Sequence, residues 1–556
     1  MAAFRFERVA MLLWFDIIAL YAIWMLMPYL SSVWDVSISR AAAIVNIFWS
    51  FVLLSPFFIA ILIDTVMCYY WSVIVSTVSL SAGLGFLAMS TPPVLAHISG
   101  NCSEYSAECI GQGQRVLLYM SLPLIAFGMA GHFDSLYEFM REQFRKGEAI
   151  IDDRISMEFD GLVLRFSGLS SSVFTLIAVL GLPYIKPWSL RFGIPAICSL
   201  VAAVLFFSAA STFKFIGRPI GGVSPFMTFF KVLFAAFSKL FYTIPTDAWE
   251  LYEIQDNSQL HFVPHSRSLR WLDKAAIVIP KPIPEQTWRL CRVTQVEEAK
   301  AITRMIPVWM TFVLCGVVSS MPYTFFMEQL DHMNPKIVGV KVPILVLIWF
   351  QSKVIQHCTL VCIRIQPNLF VSRVRMSGFV GIVISMIVAI LCCITCAKVE
   401  SQRLDHVRKQ VGSLSMFMLL PQMILLGVFR FIFDVSVLCL FSVKDSDVVM
   451  DRYLPIFISC VLGVGCLANS VLVFVVGKIS ERGGKMNWFQ HDLDQSRLDK
   501  YYYTLAWLMA VNLVAFIVVA ALHRFNEWKL EDEQAAAQSG QPYVSSNQEC
   551  CFCCCC

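Results

Sequence analysis

Charge is scarce in this sequence. Asp, Glu, Lys and Arg supply 15% of its 556 residues, against about 25% in soluble domains, and that deficit excludes a soluble globular chain. Pair-plus-pair cysteine spacing, a phosphate loop, paired-metal spacing and a nucleophile elbow are all missing. An enzyme therefore has no support, and neither a cofactor nor a metal is called for. Isolated Ser, His and Asp residues are what chance supplies. The net charge of +4 is small and makes no case for a nucleic-acid partner. Met1 to Arg8 is too short and too polar for a cleaved signal peptide, so the first apolar run is expected to be a retained span.

What is present is apolar: 58% hydrophobic and 13% aromatic residues, which predicts a polytopic membrane protein with the lipid bilayer as its main partner. The 20 cysteines are scattered through spans, one loop and the tail, where cysteine most often packs as a small side chain. At ~20 residues per crossing, twelve spans are predicted: 10–30, 41–63, 71–90, 115–133, 158–182, 192–211, 305–325, 342–362, 375–397, 416–441, 453–477 and 501–522. The plan is a six-helix half (1–210), a basic, Pro-rich connector (211–304), a second half (305–525) and a Cys-rich tail (526–556). In the connector, Ser224-Pro225 reads as an N-cap with a first-turn proline. It opens an amphipathic helix at the membrane interface, since Lys231 and Lys239 disfavour a further span. Thr294-x-x-Glu297 has capping-box spacing and is expected to start the helix of the seventh span.

Lys and Arg in the loops of the first half place both termini in the cytosol. The second half departs from that rule, because the connections holding Lys398 to Lys409 and Arg482 to Lys500 are basic and fall outside. The loop before Arg115 is then external and carries Asn101-Cys102-Ser103, a glycosylation acceptor at Asn101. Cys102 and Cys109 either close a small oxidised loop there or remain two thiols. The tail reads as disordered and ends in Cys550, Cys551, Cys553, Cys554, Cys555 and Cys556. These are either S-acylation sites or unmodified.

The connector's end, Trp288-Arg289-Leu290-Cys291-Arg292-Val293-Thr294-Gln295-Val296-Glu297-Glu298, followed by Pro307-Val308-Trp309, resembles the plant nitrate/peptide transporter family. That family is the plant branch of the proton-dependent oligopeptide transporters in the major facilitator superfamily. Further matches run along almost the whole chain: Asn46, Pro56 and Asp64 in the second span, Leu272-Asp273-Lys274-Ala275-Ala276, Thr324-Phe325-Phe326 with Gln329, Pro421-Gln422, Gly463-Val464-Gly465 and Trp488-Phe489. The resemblance implies an all-α major facilitator fold of twelve transmembrane helices in two halves, and transport by alternating access.

The departures fall on the residues that carry the family's mechanism. The first span of the family holds Glu-x-x-Glu-Arg, tied to proton coupling; here those positions are Leu12, Phe15 and Asp16. The lysine of the fourth span's Gly-His-Lys-Pro is Phe133, and its acidic partner in the tenth span is Cys439. Losing both together is what physics requires, since one charge left alone in the membrane is costly. The Gly and Arg that follow the second span's Asp are Cys68 and Tyr69, so the usual ion pair with Asp64 cannot form. New charges enter predicted spans instead, at Asp16, Arg165, Lys353, Arg430 and Asp434. Arg430 and Asp434 stand four apart and share a helix face, and Asp16 and Arg430 are expected to face one cavity. Arg165 and Lys353 either line the cavity or snorkel to the interface. His132 and His357 either relay protons or pack by hydrogen bonds. The candidate cavity residues are thus Asp16, Asn46, His132, Phe133, Arg165, Lys353, Arg430, Asp434 and Cys439.

The function expected is transport of a small solute such as nitrate, a peptide, a hormone or a similar organic anion, across the plasma or vacuolar membrane. Protons are a candidate co-substrate, although the residues that normally take them up are missing. The alternative is a transporter-shaped regulator or assembly partner that no longer transports.

Overall fold

The computed structural model describes residues 2–92, 110–144, 171–213, 225–243, 251–252, 268–278, 290–337, 339–369, 374–410, 412–441 and 448–539. Apolar sequence becomes helix here because a backbone removed from water must satisfy its own N–H and C=O groups. Among the described residues, 11 helical segments are long and apolar enough to cross a membrane. Helices α1 (Ala2–Trp24) and α2 (Leu26–Ser32) share the first of them, followed by α3 (Ile38–Thr65), α4 (Tyr69–Met89) and α5 (Gln112–Phe144). The predicted span over 158–182 lies partly outside the described residues, and its end is the shorter apolar helix α6 (Ser171–Tyr184). Next come α7 (Trp188–Ser208), the connector helix α8 (Pro225–Ser238), α9 (Val293–Ser319) and α10 (Phe325–Asp331). The series ends with α11 (Leu345–Leu369), α12 (Val374–Arg408), α13 (Leu420–Phe441), α14 (Val448–Ser480) and α15 (Leu498–Ser539). One two-residue hairpin pairs β1 (Lys336–Ile337) with β2 (Val340–Lys341).

Prolines explain the two broken spans. Pro28 has no N–H to offer the Trp24 carbonyl, and the helix is interrupted at Met25. Pro322 likewise leaves Val318 without its donor, and a 3-10 turn, Met321–Tyr323, separates α9 from α10. Two boundaries differ from expectation. Helix α9 starts at Val293, where the Gln295 side chain accepts the Arg292 N–H at 3.2 Å; Glu297 is instead committed to Lys300. Helix α12 runs on to Arg408, so Lys398 to Arg408 is helix rather than loop. Helix α8 opens at Pro225 as expected, while Ser224 lies outside the described residues.

The chain forms two compact units. The first joins Met1–Gly222 to Thr311–Leu513. Within it, α5 lies directly against α4. A Cβ added to Gly128 would meet the Leu80 backbone nitrogen at 2.6 Å, and one on Gly131 would meet the Ser76 Cβ at 2.8 Å. Helices α3 and α14 are in similar contact, a Cβ on Gly463 falling 3.2 Å from the Ser50 carbonyl.

The second unit comprises Val223–Met310 and Val514–Cys556. Here α8 packs Val232, Ala235 and Ala236 against Leu272, Ala275, Cys291 and Val296. At its centre Lys300, fully enclosed, meets Asp273 at 2.7 Å and Glu297 at 2.8 Å. The ammonium of Lys239, also buried, donates to the carbonyls of Ala275 (3.0 Å) and Ile277 (2.7 Å). Burial pushes the Lys239 pKa down and the Cys291 thiol up. The other face of α8 exposes Met227, Phe230, Phe234 and Phe237.

Candidate functional site

Where the family's carboxylates would stand, the chain packs hydrocarbon. Leu12 is buried with Val9, Tyr70, Val73, Leu136 and Phe139, and Phe15 leans on the same cluster. Phe15 also meets the Phe174 ring edge-on at 6.4 Å. An apolar cluster of this kind leaves no room for an uncompensated charge.

Asp16, one residue further on, is the charge that remains. Both its carboxylate oxygens lie 2.7 Å from His132 Nδ1, and His132 Nε2 lies 2.7 Å from the Thr77 hydroxyl. Three helices, α1, α4 and α5, thus meet at one imidazole. Gly131 makes the meeting possible, since any side chain there would strike Ser76 and hold α5 away from α4. The close helix contact and the histidine that exploits it are consecutive in the sequence. Thr77 was not among the expected site residues, because a threonine in an apolar span carries no distinguishing signal.

Asn46 is fully buried on α3. Among the described residues, neither its amide nitrogen nor its amide oxygen has a hydrogen-bond partner, and the Ser50 hydroxyl one turn along has none either. Burying an unpaired amide costs about 1–3 kcal/mol, so this face holds polar atoms suited to a water or a solute.

Arg430 and Asp434 on α13 pair at 3.3 Å, as their interval of four predicted. The guanidinium lies within electrostatic reach of Tyr323 and Cys466. Asp16 and Arg430 are each paired within their own half of the chain. Lys353 stands well inside α11, its ammonium 2.9 Å from Gln356 Oε1 and 5.9 Å from the Trp349 ring centre. Its neighbour Ser352 lies close to Tyr21 of α1. His357 is exposed on the same helix. Cys439 is half-buried, with Cys362 of α11 nearby. Arg165, Asn101, Cys102, Cys109 and the cysteines from Cys550 to Cys556 lie outside the described residues, as does the side chain of Phe133.

Contacts between the two halves bring together residues that sequence reasoning did not select. The Ser31 hydroxyl donates to Glu328 at 2.9 Å, and Trp49 stacks on Tyr323 with ring centres 4.2 Å apart. The Tyr453 hydroxyl donates to Asp64, which thereby gains a partner on α14 in place of the family's arginine. Glu400 is enclosed with Arg403, which grips both its oxygens at 2.9 Å, and takes a third bond from Gln329 at 2.7 Å. Arg403 also reaches Asp494 and the Leu493 carbonyl. These charges sat in what looked like an external loop, so their burial was not legible.

A profile of the POT family matches residues 70–489 of this chain. The chain belongs to the POT family. Among curated proteins, the Arabidopsis thaliana protein NRT1/PTR family 5.5 is 32% identical over 523 residues, covering 92% of this chain and 95% of the relative. Protein NRT1/PTR family 5.6 of the same plant is 27% identical over 511 residues, covering 89% and 86%. Among solved structures, the POT family transporter PepTSo superposes with a TM-score of 0.62 at 15% identity, covering 94% of this chain and 98% of that one. An auto-inhibited POT family peptide transporter also gives 0.62, at 14% identity over 93% and 96%. Likeness at such identity speaks for the fold alone. This POT family chain is therefore a multi-pass integral membrane protein with a major facilitator fold, in a family of transporters rather than enzymes.

Proposed function

We propose that this POT family member carries a small solute by alternating access, the solute site lying between residues 1–210 and 305–525. Nitrate, a peptide, a hormone or a similar organic anion would fit the family, in the plasma or vacuolar membrane with both termini cytosolic. The observation that carries the reading is the pattern of charge. Asp16, Arg430 and Asp434 keep polar groups inside spans where each costs several kcal/mol in lipid (about 3 by insertion scales), and such residues mark solute pathways. Against ordinary proton symport stands the apolar packing of Leu12 and Phe15, together with the loss of the lysine at Phe133 and of its partner at Cys439. Facilitated transport, or coupling through other groups, fits these replacements. The same reading keeps Asn101 as a glycosylation site and the terminal cysteines as acylation sites.

The test is uptake of nitrate, dipeptides and plant-hormone acids into vesicles holding the purified protein, with and without an inward proton gradient. Flux of one of these solutes that Arg430→Leu or Asn46→Leu abolishes supports the reading. No flux from folded, reconstituted protein for any of them overturns it in favour of a non-transporting regulator, the reading that joint loss of the motif charges motivates.

A further inference from the structure

The contacts of His132 permit two protonation states. The Thr77 hydroxyl has a single hydrogen and two groups within reach that can accept it, the Val73 carbonyl at 2.7 Å and His132 Nε2 at 2.7 Å. When that hydrogen goes to Val73 the same oxygen accepts from an N–H on Nε2, and when it turns to Nε2 the ring nitrogen carries a lone pair. On the other side of the ring Nδ1 faces both oxygens of Asp16 at 2.7 Å, and an ionised carboxylate only accepts. With Thr77 turned to Val73 both ring nitrogens donate and the ring is an imidazolium paired with a carboxylate; with Thr77 turned to Nε2 the ring is neutral. The ring is enclosed, at 4% exposure, whereas Asp16 keeps 21%, so the carboxylate is the open edge of the pair.

We propose that the Asp16–His132 pair is a proton-binding site that replaces the family's missing carboxylates, with the Thr77 hydroxyl as its rotor. In the loaded state Nε2–H donates to Thr77, and Thr77 donates to Val73. In the empty state Nδ1–H still bonds Asp16, Nε2 carries a lone pair, and the Thr77 hydroxyl turns to donate to it. The turn leaves nothing orphaned, because the Val73 carbonyl still holds its helical bond from the Thr77 N–H. The proton exchanged is the one on Nε2; the ring is enclosed, so that proton passes from and to water when the helices around the ring part during alternating access. The empty state replaces a bond between charges with one between a carboxylate and a neutral ring, which loosens α1 from α5.

Several other described ionisable groups on the surrounding helices have partners of their own. Tyr21 lies close to Ser352, Asp64 takes Tyr453, and Arg191 on α7 is held by the carbonyls of Pro183 and Ile185. Tyr70 sits among the rings of Phe139 and Phe206. Glu138 lies further along α5, and Cys68, Tyr69, Cys198, Arg40, Arg115, Tyr119 and Tyr184 complete the set.

The proposal rests on the transport reading, and its test separates the two. Protein labelled with 15N-histidine, in lipid vesicles, is examined by solid-state NMR across about pH 5 to 8, the range in which histidine changes charge. The chain has nine histidines, so the His132 signal is the one absent from His132→Gln; it is expected to be imidazolium at the acid end and neutral imidazole at the alkaline end. Asp16→Asn and the near-isosteric Thr77→Val should each convert it already at the acid end. A His132 signal that is neutral throughout, or one that never converts, overturns the site, whatever the protein transports. In the same vesicles, proton-gradient-driven uptake of nitrate or dialanine should fall in His132→Gln to the level seen without a gradient. Undiminished accumulation by His132→Gln also overturns the proposal. Absence of both accumulation and exchange in the parent would sink the transport reading, leaving the NMR result to decide the site.

Discussion

Replacing Arg403 by Met is the sharpest test of how the second half is held together. Arg403 is 2% exposed and Glu400 is fully enclosed. The guanidinium donates to both Glu400 oxygens at 2.9 Å and to the Leu493 carbonyl at 3.1 Å. Methionine fills much of the same volume but leaves Glu400 a buried anion, with the Gln329 amide at 2.7 Å still beside it. Removing one member of a buried pair costs about 3–5 kcal/mol, or about two to four orders of magnitude in the folded-to-unfolded ratio at 1.4 kcal/mol per decade. Asp494, 37% exposed, returns to water and adds little. The double variant Arg403→Met/Glu400→Gln removes the stranded charge and should recover most of the loss. Thermal unfolding of purified protein in detergent, followed by loss of the monodisperse peak on size exclusion, measures all three. If the single variant proves as stable as the double, Glu400 is not a buried anion held by Arg403.

In the connector, Lys300→Met should leave Asp273 and Glu297 together without their ammonium and cost about 3–5 kcal/mol, seen as faster proteolysis between α8 and α9. Gly131→Ala should force α5 off α4 at a cost of about 1–3 kcal/mol and remove the imidazolium signal of His132, whereas Gly85→Ala, which meets nothing within 4 Å, should do neither. Tyr453→Phe withdraws a donor from Asp64 and should lower stability by about 1 kcal/mol, read as a small fall in the unfolding temperature. Cys291 is fully buried and its thiol is pushed up by desolvation. The neutral thiol therefore dominates at neutral pH, and maleimide should label Cys291 only after denaturation, as mass spectrometry of native and unfolded samples will show.

The sequence by itself determined the class, the helices and the family. Long apolar runs must become helices in a bilayer, and the signatures at Leu272 to Ala276 and Leu290 to Glu298 lie close together in the chain. It also showed which mechanistic residues are gone, because absence needs no partner to be read. The local pair Arg430–Asp434 was legible for the same reason, an interval of four on one helix. Tertiary structure decided the rest. Asp16 and His132 are 116 positions apart, and nothing in either segment says that a glycine contact brings their helices together. The sequence left His132 open between relay and packing residue; the third helix, with Thr77, gives the ring its second hydrogen-bond partner. Glu400 and Arg403 looked like loop charges because a helix end is defined by what packs over it, and here Gln329 and Asp494 arrive from elsewhere to bury them. Spacing along one helix can be read from sequence, but partners on different helices depend on how those helices cross.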